Sequence, residues 1–139
     1  MEDSVSQNPA DLEEVRELYT RYAISWDENR PKDLAACFTA DAVFESGHGH
    51  FEGREAILEN MTNLNGAMGR RKQRHVVTNV SIRLEGDRGT GTAYFIDCVG
   101  LEGKILVIAF GTYHDELSRV DGRWCFSFRK GSVEGELAE

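Results

Sequence analysis

The chain has 139 residues, 40% hydrophobic and 29% charged, which is the composition of one globular domain and excludes both a disordered chain and two independent cores. Its 16 basic residues against 24 acidic ones give a formal charge of −8, which argues against nucleic acid as the main partner and against docking on anionic lipid, since both need a basic face. The N-terminal stretch MEDSVSQNPADLEE has no basic n-region and no apolar h-region, and no window approaches the roughly 18 apolar residues of a membrane span, so a cytoplasmic protein is expected. Cys37, Cys98 and Cys125 show neither CxxC nor zinc spacing and read as reduced, mostly buried thiols.

Residues 1–8 read as a flexible leader, 9–133 as a single domain and 134–139 as a C-terminal tail. Asp11, with Glu14 three residues on, forms a capping box that opens a helix. Leu12, Val15, Leu18, Tyr19, Tyr22 and Trp26 line its apolar face at spacings of three and four. Asn29-Arg30-Pro31 breaks it, because the residue before proline avoids the helical region. A short helix follows over Pro31 to Phe38, then a strand over Ala42 to Ser46 and a glycine-punctuated turn over Gly47 to Gly53. A third helix from Arg54 to about Leu64 buries Ala56, Ile57, Met61 and Leu64. After a loop rich in Gly and Arg come strands at His75–Leu84, Thr90–Gly100, Lys104–Leu117 and Arg123–Gly131. The turns at Glu85-Gly86-Asp87, Glu102-Gly103 and Asp121-Gly122 make these an antiparallel meander. Helices first and strands later read as α+β. Ile105 to Phe110 is apolar on both faces, so one face is expected to meet helices and the other a second subunit.

Several segments carry chemistry on one reading and none on another. Gly47-His48-Gly49-His50-Phe51-Glu52-Gly53 resembles a dinucleotide loop, but its last gap is one residue too long and no βαβ unit follows. His48, His50 and Glu52 alternate and would face one way on a strand, as metal ligands do; a solvated hairpin explains them as well. The cluster Arg70, Arg71, Lys72 and Arg74 reads either as a solvated loop or as a rim for an anionic substrate tail. Tyr22 fits core packing or a site. Asp27 fits a surface charge or a site, and five helical residues turn about 140°, so the two do not share a helix face. His75 opens a strand and is the residue type suited to moving protons near neutral pH. Asp97 interrupts an apolar strand and must have a partner, reach water or serve a polar cavity. Arg129 raises the same question, and strand parity places it opposite Trp124, Phe126 and Phe128.

Taken in order, Tyr22, Asp27, Phe38-Thr39-Ala40-Asp41-Ala42, Gly53-Arg54-Glu55-Ala56-Ile57, His75-Val76-Val77-Thr78-Asn79 and Asp121-Gly122-Arg123-Trp124 resemble the SnoaL-like branch of the nuclear-transport-factor-2-like superfamily. The likeness covers about residues 10–131. It implies a cone-shaped α+β barrel, also called cystatin-like, in which three N-terminal helices pack on a curved, mixed and mostly antiparallel sheet around an apolar pocket. The spacing of Tyr22, Asp27 and His75 is most similar to the group containing scytalone dehydratase, bile acid 7α-dehydratase and hexachlorocyclohexane dehydrochlorinase. That resemblance implies His75, Asp27 and Tyr22 as catalytic residues and Asp97, Arg129 and Trp26 as substrate-binding residues.

The implied activity is a cofactor-independent lyase, a dehydratase acting on a small cyclic, steroid-like or polyketide-like substrate. His75 would take a proton, Asp27 would fix its tautomer, and Tyr22 would donate to the developing oxyanion or leaving oxygen. No metal and no cofactor is implied. An isomerase or polyketide cyclase using the same pair, and a non-catalytic ligand-binding or assembly subunit, remain open on this fold. The expected partners are a small hydrophobic substrate and further copies of the chain in a homotrimer or homodimer.

Overall fold

Asn8, ahead of the expected Asp11, starts the first helix. The computed structural model describes residues 8–68 and 72–137, and in it helix α1 spans Pro9–Asp27. Asn8 Oδ1 accepts from the backbone N–H of Ala10 (2.9 Å) and Asp11 (3.3 Å), and Pro9 sits where a helix needs no N–H donor. Freed from capping, Asp11 and Glu14 reach the sheet: Asp11 accepts from Arg119 (2.9 Å) and the Trp124 indole (3.3 Å), and Glu14 accepts from the Trp124 backbone N–H (2.9 Å). Of the expected leader, residues 1–7 lie outside the described residues.

Asn29, at φ 60°, ends the helix turn ahead of Pro31. Helix α2 spans Pro31–Ala35, and strand β1 spans Phe38–Ser46, beginning earlier than the apolar pattern suggests. The glycine-punctuated segment contains a short strand, β2 (Gly49–Glu52), antiparallel to β1. Helix α3 spans Arg54–Met68 and buries Ile57 and Met61. Four long strands follow: β3 (Lys72–Glu85), β4 (Arg88–Leu101), β5 (Lys104–Val120) and β6 (Arg123–Glu136). Strand β6 continues to Glu136, pairing with Ala109, where a tail was expected. The β4–β5 and β5–β6 turns place Glu102, Gly103, Asp121 and Gly122 at positive φ, the demand of a two-residue hairpin turn that selects glycine.

The six strands lie in the order β2-β1-β6-β5-β4-β3, with β1 and β6 parallel and the other pairs antiparallel. This is the expected mixed, mostly antiparallel sheet, and it stays open between its two edge strands. Bulges bend it. Asn79 and Val80 together face one residue of β4, Ile108 is extra on β5, and Ser127 and Glu134 are extra on β6. Each extra residue reverses the alternation of side chains from that point on.

The Ser127 bulge corrects one expectation. Arg129 does not lie opposite Trp124 and Phe126; it shares the inner face with them and is 0% exposed. Its guanidinium donates to Asp115 through Nε (2.8 Å) and Nη2 (3.1 Å), and Asp115 accepts in turn from the Tyr19 hydroxyl (2.6 Å). The Cζ atom lies 3.6 Å from the centroid of Tyr113, 4.1 Å from Phe126, 4.3 Å from Tyr22 and 5.1 Å from Tyr19. Around this charge the core closes with Val15, Leu18, Leu34, Phe38, Phe44, Ile82, Leu84 and Leu117.

No described helix covers the outer side of the apolar segment Ile105–Phe110, contrary to the expectation. Ile105, Leu106, Val107 and Phe110 are exposed. On the outer sheet face Val76, Ile96 and Phe110 stand in one cross-strand row, all exposed.

Asp115→Ala leaves a buried guanidinium without its counter-charge. The expected loss of unfolding free energy is about 3–5 kcal/mol, read as a lower urea midpoint; a loss within ordinary surface-mutation scatter would overturn the assignment. A second expectation concerns the β1–β2 hairpin. His50 lies 2.8 Å from Glu45 and 2.9 Å from Glu52, and the Glu52 and Glu45 carboxylates raise its pKa above the usual 6.5. A folded-state pKa above the unfolded one makes this clasp fully stabilising below about 6.5 and lost as pH rises through the raised value. Protection of the β2 amides against hydrogen exchange should fall across that window and be flat with pH in His50→Gln.

Candidate active site

Asp27, the last residue of α1, and His75, near the start of β3, meet where the helix end crosses the sheet. One carboxylate oxygen of Asp27 accepts from the His75 backbone N–H (2.9 Å), and the other lies 2.7 Å from His75 Nδ1. Both side chains are 8% exposed. An ionised carboxylate only accepts, so this contact places the proton of a neutral His75 on Nδ1 and leaves Nε2 with a free lone pair.

His75 lines a cavity of about 320 Å³ together with residues of α1, the β1–β2 hairpin and β3 to β6, and its Nε2 lies toward Asp97, another lining residue. Tyr22, Trp26, Phe44, Phe95 and Tyr113 form much of its wall, with Ile108, Ala109 and Val133 toward one side. Its polar groups are Ser46, His48, Gln73, His75, Asp97 and Glu136. Trp26 stands between two histidines: its ring stacks on His48 at 6.5 Å and meets His75 edge-on at 5.4 Å. Burial pushes the Tyr22 hydroxyl up to about 12, with Arg129 acting in the opposite direction, so Tyr22 is a proton donor near neutral pH. Asp27 is absent from the lining, in keeping with the turn of the helix that separates it from Tyr22. It stands behind His75.

Asp97 has the partner its strand position demanded. Gln73 Nε2 donates to both of its oxygens, at 2.8 and 2.9 Å, and Asp97 Oδ2 lies 3.7 Å from His75 Nε2. Gln73 and His75 share a face because they are two residues apart on β3 before the Asn79 bulge.

The structure therefore brings Tyr22, Trp26, His75 and Asp97 to one cavity, with Asp27 directly behind. Arg129 is a correction: it is sealed under Tyr22 and Tyr113 and does not line the cavity. The alternation of His48, His50 and Glu52 does not make a shared face either. His48 turns to Trp26 and the cavity, whereas His50 is held between Glu45 and Glu52 outside it. Among the described residues no cluster of three His, Cys, Asp or Glu side chains suits a metal ion. Of the basic cluster, Arg70 and Arg71 lie outside the described residues, and Lys72 and Arg74 do not line this cavity. A larger groove of about 500 Å³ between α2, α3 and the β5–β6 turn contains none of the expected site residues.

Sequence reasoning missed Gln73, His48 as a cavity residue, Tyr113 and Glu136. For Gln73 a signal existed: a polar residue at period two from His75, facing the same way. Glu136 had none, because its arrival at the cavity depends on the extra residue at Glu134.

A search of curated proteins finds no match to this chain. Among solved structures, a protein of unknown function with a cystatin-like fold from Nostoc punctiforme aligns at 22% identity over 94% of this chain and 96% of its own, with a TM-score of 0.82. A putative scytalone dehydratase from Novosphingobium aromaticivorans aligns at 20% identity over 94% and 88%, with a TM-score of 0.80. A hexachlorocyclohexane dehydrochlorinase, LinA type 2, aligns at 24% identity over 93% and 90%, with a TM-score of 0.79. These likenesses establish a common fold. The SnoaL-like domain family matches residues 7–130, nearly the whole described chain, and the protein belongs to that family.

Proposed function

We propose that this protein is a cofactor-independent lyase, a dehydratase that removes a proton beside a carbonyl and expels hydroxide from the neighbouring carbon. The observation that carries this reading is the Asp27–His75 pair, which leaves Nε2 of His75 free at an apolar cavity. In the reaction, the C–H electron pair forms the new double bond through an enolate, and the proton passes to His75 Nε2. The C–O bond to the leaving group breaks, and the hydroxide departs as water after taking a proton from the imidazolium. Asp27 stabilises that imidazolium, and the Tyr22 hydroxyl donates to the enolate oxygen. The putative scytalone dehydratase and the hexachlorocyclohexane dehydrochlorinase that share this fold are both named for eliminations.

The substrate that fits is small, cyclic and uncharged, of steroid or polyketide type. Among the described residues the cavity lining carries Asp97 and Glu136 but no Lys or Arg, so an anionic group gains nothing from them. Trp26, Tyr22 and Phe95 offer flat faces to rings. A cytoplasmic setting suits the three free thiols. The exposed row of Val76, Ile96 and Phe110 supports a homodimer or homotrimer that covers it.

Turnover of a panel of cyclic β-hydroxyketones, followed by product mass, tests the reaction. Loss of one water supports the dehydratase; an unchanged mass returns an isomerase, and binding without turnover a non-catalytic subunit. His75→Ala should lower kcat/KM by about 10²–10⁴-fold. Asp27→Asn should do the same while leaving the fold intact, because the amide donates to Nδ1 and forces the proton onto Nε2. Full turnover in both variants would sink the mechanism. For the assembly, light scattering should give a multiple of the chain mass, and Ile96→Lys should reduce it to one chain; a wild-type monomer at high concentration would refute it.

A further inference from the structure

His75 faces two carboxylates, and they are held differently. Asp27 grips the backbone N–H and Nδ1 together. Asp97 is the cross-strand partner of His75 in the β3–β4 register. Directly opposed residues bring their Cβ atoms within about 5 Å, so the Asp97 carboxylate has the reach to close on Nε2. It stops at 3.7 Å, beyond hydrogen-bond distance. What holds it there is Gln73, which is 8% exposed and spends its amide nitrogen on both Asp97 oxygens.

We propose that Gln73 is a positioning residue for the reaction: by holding Asp97 off His75 Nε2, it keeps that nitrogen open to the substrate. This deepens the reading of His75 as the base and rests on it. If Asp97 bonded Nε2, the imidazole would be clamped between two carboxylates as a cation, with no lone pair to accept a proton. Held at its present distance, Asp97 leaves the neutral ring accessible and still lowers the energy of the imidazolium once the proton has arrived. A neutral amide does this without adding a competing charge. Among the described residues, the other titratable groups facing His75 or lining its cavity are Asp27, Tyr22, His48, Tyr113 and Glu136, and they are unchanged in the comparison below.

The test is the titration of the His75 ring by NMR in substrate-free protein, its signal assigned by its loss in His75→Gln. Gln73→Leu removes the grip and should raise the His75 midpoint by about one unit, a tenfold gain in proton affinity. The acidic limb of the kcat/KM profile, where the base loses its proton, should move with it to higher pH. Asp97→Asn should lower the midpoint. In the double variant Gln73→Leu/Asp97→Asn the midpoint should match Asp97→Asn alone, because Gln73 then has no charge to position. A purely structural role for Gln73 would lower the whole rate profile without moving the limb or the midpoint, and that result overturns the proposal. So does a double variant that keeps the raised midpoint. Gln73→Met serves if Gln73→Leu does not fold. Because the titration needs no substrate, it separates the two readings: full turnover in His75→Ala refutes the base, whereas coincident titrations of wild type and Gln73→Leu refute the role of Gln73 alone.

Discussion

A guanidinium with no exposed surface sits at the centre of this molecule, and the packing of helix on sheet is organised around it. Bringing such a charge out of water costs several kcal/mol, which only close pairing and good geometry offset. Arg129 receives two bonds' worth of pairing from Asp115, and Asp115 receives a third hydrogen bond from Tyr19. The faces of Tyr22, Tyr113 and Phe126 enclose the remaining surface of the cation. Gly91 belongs to the same arrangement: a Cβ there would collide with the Tyr19 hydroxyl, so the bond to Asp115 requires a glycine on β4. Tyr19 and Tyr22 both belong to α1, which means the ion pair fixes the position of the helix as well as its own geometry.

That constraint reaches the cavity through the same residues. Tyr22 and Tyr113 have one side over the guanidinium and also line the cavity. One turn beyond Tyr22 comes Trp26, and next to it Asp27. With α1 pinned at Tyr19 and Tyr22, the end of the helix arrives where Asp27 can bond the first residues of β3. The Asp27–His75 pair thus rests on an anchor that takes no part in the proposed chemistry.

The parts of this fold that were legible in the sequence are those set by neighbours in the chain. Asp121-Gly122 and Glu102-Gly103 announced hairpins because two-residue turns need positive φ, and both adopt it. The apolar face of α1 followed from its spacing alone. His75 and Asp27 were legible as a pair only through family resemblance, since nothing in either segment points to the other across the intervening residues. Arg129 was misplaced for a definite reason. Alternation along β6 is a sound rule until Ser127, where one extra residue reverses it. The same holds for Glu136 beyond Glu134. A bulge leaves little trace in composition, yet each one decides which side chains reach the interior. Asn8 shows the converse: two local caps compete at the start of α1, and the one beside Pro9 wins because Asp11 and Glu14 gain partners on the sheet.

The asymmetry around His75 is what the proposed base requires and a fixed ion pair would lack. Two carboxylates placed symmetrically about an imidazole would hold it as a cation at neutral pH. Here one is bonded to the ring at 2.7 Å and the other is kept at 3.7 Å by a neutral amide. The near carboxylate selects the tautomer, and through its second oxygen it holds the backbone that carries the ring. The far one acts through space, where the apolar wall of Trp26, Tyr22 and Phe95 weakens screening and lengthens its reach. Charge therefore supports the ring from both sides while only one nitrogen is occupied. The remaining nitrogen lies toward Asp97 at the cavity, and it is the position from which a proton can be taken and returned within one enclosed space.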